Sequence, residues 1–169
     1  VFYNVLSGNG SNGLRITNAN TTTVQANFTG IGANNAVAVP NGRSGILANG
    51  TSAGIQAGGA IPMGNVTSGN SGHGIEIADQ VSGFVSFNNF AGMAAFGGAI
   101  PNQLNGIQIT ATGGDNLIRT CLVAGNLGNG IVIGGDASGV IVEDTAAGTN
   151  ASIDAALPNL GSGIVITGT

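Results

Sequence analysis

The sequence predicts an all-β solenoid, a coil of short strands that winds and stacks on itself. Three observations carry this. A six-residue pattern, Asn-x-x-x-Gly-(Ile/Leu), recurs at intervals of 24 to 33 residues along the 169-residue chain. A short alternating apolar strand follows each copy. Glycine supplies 32 residues, as tight turns and close backbone approaches require.

The six copies begin at Asn9 (NGSNGL), Asn41 (NGRSGI), Asn70 (NSGHGI), Asn102 (NQLNGI), Asn126 (NLGNGI) and Asn159 (NLGSGI). The strands after them read LRI, ILA, IEI, IQI, IVI and IVI. Alternation buries every second side chain. The inward column is therefore Leu14, Ile46, Ile75, Ile107, Ile131 and Ile164, and the outward column Arg15, Leu47, Glu76, Gln108, Val132 and Val165. Coils stacked at about 4.8 Å place the six asparagines one above another. There they can hydrogen-bond along the column as a structural ladder.

A second polar column precedes the first: Asn27, Asn65 and Asn89, continued by Cys121 and Thr145. In alternate units the two columns are separated by an insertion ending in Pro-Asn: GIGANNAVAVPN, GMAAFGGAIPN and GTNASIDAALPN. These insertions should form one ridge, two strand spacings apart, with Val37, Val39, Ile100 and Leu157 packed on the flank and on each other. The second unit is irregular. Pro62 removes a ladder donor where a strand should run, so a bulge or loop is expected there.

With these repeats in view, the chain resembles right-handed parallel β-helix proteins of the pectate-lyase-like superfamily. The resemblance covers essentially the whole chain, about six coils of 24–33 residues, and implies that fold. It implies no single function, because this scaffold hosts lyases, hydrolases, epimerases, adhesins and fibre stalks.

Composition narrows the partners. Charged residues make up 6% of the chain, lysine is absent and the net charge is −4, a surface that offers nothing to nucleic acid or anionic membrane. No apolar run approaches the ~18 residues of a membrane helix. Cys121 is the lone cysteine, so neither a disulfide framework nor a cysteine-based metal site is expected, and no residue pattern implies a cofactor.

His73, the only histidine, lies in Gly-His-Gly, which is similar to an active-site motif of polygalacturonases. The rest of that signature is missing: there is no Asn-Thr-Asp, Asp-Asp or Arg-Ile-Lys. The residues at the same place in the repeats are Asn12, Ser44, Asn105, Asn129 and Ser162, so His73 reads as a turn residue. Asp79, Asp115 and Asp136, which follow the strands of units three, four and five, are the enzymatic alternative. Gathered along one turn edge they would suit a glycoside hydrolase or a polysaccharide lyase, with Arg119 the only arginine near in sequence. The bland reading is that aspartate is favoured in turns. Glu143 and Asp144 are consecutive in a strand and cannot act as a pair; alternation from Val140 and Val142 aims Asp144 inward. Six Asn-x-Ser/Thr sequons (Asn9, Asn20, Asn27, Asn49, Asn65, Asn150) read as accidents of a chain rich in asparagine and threonine.

The functional expectation is a structural module of a secreted or cell-surface fibre, stalk or adhesin, with no catalytic residue of its own. The alternative is a carbohydrate-active enzyme using Asp79, Asp115 and Asp136. An ice-binding face would need regular outward threonine ranks, and the outward column is mixed. Residues 1–169 read as one β-helix segment of a longer protein, whose partners are a continuing solenoid or a second copy stacked end to end, with glycans as a further class.

Overall fold

The computed structural model describes residues 1–168, which fold without helices into three all-parallel sheets. Sheet 1 collects Val5–Leu6, Phe28–Thr29, Val66–Thr67, Phe90–Ala91, Leu122–Val123 and Ala146–Ala147. Sheet 2 collects Leu14–Thr17, Ile46–Asn49, Ile75–Ile77, Ile107–Ile109, Ile131–Ile133 and Ile164–Ile166. Sheet 3 collects Thr23–Val24, Gln56–Gly58, Val85–Phe87, Leu117–Arg119 and Ile141–Glu143. The chain visits the sheets in rotation, and each strand pairs with its counterparts one coil before and after. The fold is a parallel β-helix of about six coils.

In sheet 2 the pairing runs Leu14, Ile46, Ile75, Ile107, Ile131, Ile164, the column read from the repeat. Ile46, Ile75, Ile107 and Ile131 are fully buried. Each such side chain contributes on the order of 1.5–3 kcal/mol by leaving water. Val24, Ile55, Phe84 and Ile118 close the same core from sheet 3 and the turns before it. The column opens at the last coil, where Ile164 is 46% exposed. No further strand covers it among the described residues.

The repeat glycine is dictated by the ladder. A Cβ on Gly74 would stand 2.6 Å from the Gly106 carbonyl oxygen, 2.7 Å from that of Thr67 and 2.9 Å from the Asn102 amide nitrogen. Only a residue without a side chain lets consecutive coils approach this closely.

The three insertions do form one ridge, folded over the outer face of sheet 1. Each closes on itself as a small hairpin, with antiparallel bridges Ile31–Ala38, Met93–Ala99 and Thr149–Ala156. Ile31, Ala94 and Ile100 pack with Val66, Phe28 and Phe90 of the sheet into a second apolar cluster. The expected packing residues are corrected in part. Ile100 is buried and Leu157 half-buried, but Val37 and Val39 are exposed on the returning strand of the hairpin, on either side of the bridged Ala38. Alternation along that strand sends both valines to the outer face, and Ile31 and Met93 of the outgoing strands are buried in their place. The loop expected near Pro62 is present, between the strands ending at Gly58 and starting at Val66, with Ile61 on its surface.

Candidate functional site

Three polar columns run along the coils. In the first, each asparagine side chain donates from Nδ2 to the next coil's Oδ1: Asn9 to Asn41 at 2.9 Å, Asn41 to Asn70 at 2.9 Å, and Asn70 to Asn102 at 3.0 Å. The last two links, Asn102 to Asn126 and Asn126 to Asn159, measure 2.9 and 2.8 Å. The second Nδ2 hydrogen goes to a backbone carbonyl, as from Asn102 to Thr67 and from Asn126 to Ala91. Buried amides in such a column are fully satisfied, which is the condition for placing them there.

The second column forms the same ladder from Asn4 through Asn27 and Asn65 to Asn89. It stops at Cys121. Asn89 turns its amide to Ser86 instead, and the thiol lies 3.4 Å from the same hydroxyl. Burial raises the Cys121 pKa, which keeps the thiol neutral and unreactive. Asn27 and Asn65, two of the sequons, are fully buried in this ladder.

His73 belongs to the third column, in which a side chain accepts a backbone N–H from the following coil. Asn12 accepts from Ser44, Asn105 from Asn129 and Asn129 from Ser162. His73 does the same: its Nδ1 accepts the Asn105 N–H at 3.2 Å. That bond requires a neutral ring protonated on Nε2. Burial lowers the His73 pKa, against the opposing charge of Glu76. Glu76 itself accepts from the Ser44 hydroxyl at 2.6 Å.

The three aspartates all lie in the turns between sheets 2 and 3, but in different columns. Asp79 is the second residue after its sheet 2 strand, Asp136 the third and Asp115 the sixth. Asp79 and Asp115 hold left-handed backbone with φ of 59° and 53°, and Asp79 accepts the Gly50 N–H at 2.9 Å. Asparagine and aspartate are the side-chain-bearing residues that adopt this conformation most readily. Arg119 sits at the far end of a sheet 3 strand, its guanidinium 4.6 Å from the Phe87 ring centroid. Asp144 does not point inward: it is exposed, at φ 48°, because the strand ends one residue earlier in a turn. Among the described residues no three His, Cys, Asp or Glu side chains gather as metal ligands would.

One feature escaped the sequence reading. Between the outer face of sheet 1 and the insertions lies a groove of about 650 Å³. Its floor is Val5, Phe28, Val66, Phe90 and Leu122, one residue from each of five consecutive coils. Asn35, Phe96 and Ser152 of the insertions form one wall, and Tyr3, Ile61 and Asn88 the other. The signal was present. Each floor residue directly follows the second polar column, as in Asn27-Phe28 and Asn89-Phe90. Sheet 1 inverts the usual alternation there, sending Thr29 and Thr67 inward and the aromatics outward.

Comparison of the chain with family models, curated proteins and solved structures returned no match.

Proposed function

We propose that this chain is a structural module of a secreted or cell-surface fibre, stalk or adhesin, built on the pectate-lyase-like β-helix plan. The observation that supports this most is the unbroken asparagine ladder from Asn9 to Asn159. It ties each coil to the next through hydrogen-bonded amides, buried from Asn41 to Asn159, and makes the segment a stiff spacer. In this reading the exposed end coils meet further coils, either of the same solenoid or of a second copy, and glycans meet the flanks.

The reading is tested on cells of the source organism. Antibodies raised against the folded chain should label intact cells or extracellular fibres. Labelling only after the cells are broken open would sink the proposal. In parallel, the protein is incubated with a panel of neutral and acidic polysaccharides, and new reducing ends or unsaturated products are measured. Turnover lost on Asp79→Asn or Asp115→Asn would replace the structural reading with the enzymatic one.

A further inference from the structure

The groove over sheet 1 has dimensions and a chemistry that select its occupant. Its floor spans four coil steps, about 19 Å at ~4.8 Å per step. The groove holds about 650 Å³ along that length. The lining is apolar except for Asn4, Asn35, Asn88, Ser152 and the Tyr3 hydroxyl, which is turned to Met63, and it contains no charged residue. An extended peptide would leave most of its backbone groups without partners in such a groove, and a sugar chain most of its hydroxyls. A hydrocarbon chain has no polar group to satisfy.

We propose that the groove binds one unbranched acyl chain of a neutral single-chain lipid, lying along the coil axis. At ~1.2 Å per bond of an extended chain, the floor accommodates a chain of about 16 carbons. Phe96, 97% exposed at the central hairpin, and Ile61, 85% exposed on the opposite wall, add apolar surface at the two rims. The polar groups spread along the lining, Asn35, Asn88 and Ser152 among them, are all uncharged, as an uncharged head group at either end of the groove requires. A carboxylate head would meet no cation in the lining of a chain with net charge −4.

The test is displacement of a neutral fluorescent acyl probe by monoacylglycerols of increasing chain length, each below its micelle concentration. Affinity should rise about fourfold per added methylene and level off near 16 carbons. The corresponding fatty acid anion should bind more weakly than the monoacylglycerol. Phe96→Asp and Val5→Asp, both at exposed positions, should weaken binding at least tenfold while the thermal melt is unchanged. Ile141→Asp, exposed on sheet 3 away from the groove, should bind like the wild type. Affinity that ignores chain length, or is equal in all variants, overturns the proposal. So does co-sedimentation with phosphatidylcholine vesicles without monomer binding. A dimer broken by Phe96→Asp, with no probe bound, would assign the groove to a second copy instead.

Discussion

A methyl group on Gly74 would collide with two carbonyl oxygens and with the Asn102 amide. The glycine and the asparagine of the repeat therefore explain one another: the ladder is short enough to bond only because the glycine leaves room for it. Gly74→Ala should lose about 1–3 kcal/mol, the usual cost of overpacking a tight site, read by chemical denaturation. Asn126→Ala should lose about 1–3 kcal/mol, since it strands the buried Asn102 donor and leaves Asn159 Oδ1 only the backbone N–H of residue 126. Replacing His73 by Asn should be nearly neutral at pH 7, because Asn105 and Asn129 already accept the same backbone bond one and two coils on. Its signature lies in pH. Burial holds the folded His73 pKa below the unfolded value of 6.5, so the stability tied to the neutral ring is complete above pH 6.5. It is lost as pH falls through the lower folded value. Wild type should therefore lose melting temperature relative to His73→Asn on mild acidification. Parallel curves for the two proteins would refute the turn role assigned to His73.

At the scale of elements, the hairpin insertions depend on the plain coils beneath them. The Ser7 hydroxyl accepts the Gly30 N–H and donates to the Ile31 carbonyl. Ser68 does the same for Gly92 and Met93. In the third insertion the place is taken by Ala124, and the buried Thr149 hydroxyl has no partner. Ser68→Ala should speed hydrogen exchange across residues 92–100 and cost about 1–3 kcal/mol. Ala124→Ser should slow exchange in the third insertion; no change there would mean its base is held by other contacts. The sheet 2 columns and the first ladder were legible in the sequence because Asn-x-x-x-Gly-Ile recurs without a gap between its fixed residues. The groove was not. It depends on where hairpins of unrelated sequence fold back, and on Phe28 and Phe90 facing outward beside inward threonines. The register of Asp79, Asp115 and Asp136 was equally hidden, since each stands at a different place in turns of similar composition. The exposure of Val37 and Val39 was hidden because, in a strand flanked by alanines, nothing in the sequence tells which alternate face turns outward.

At the scale of the molecule, both described ends present apolar side chains of the core columns to solvent: Val1 at one, Ile164 and Ile166 at the other. Core residues exposed beside unpaired strand edges are templates for further coils. The isolated chain should therefore associate with rising concentration in sedimentation experiments. Ile166→Lys should shift it toward monomer without lowering the thermal melt. A wild-type chain that stays monomeric throughout would count against end-to-end stacking. The asparagine ladders add a direction to this association. All their side-chain amides point the same way, and the backbone N–H of Asn9, Asn70 and Asn126 donates to the same Oδ1 as the side chain does. The molecule is thus an arrow, with an amide oxygen offered at the Asn9 tail and amide hydrogens at the Asn159 head. Head meeting tail continues the row. Two heads or two tails bring like poles together. Growth by stacking would then be polar and unclosed, a one-way filament in place of a symmetric pair.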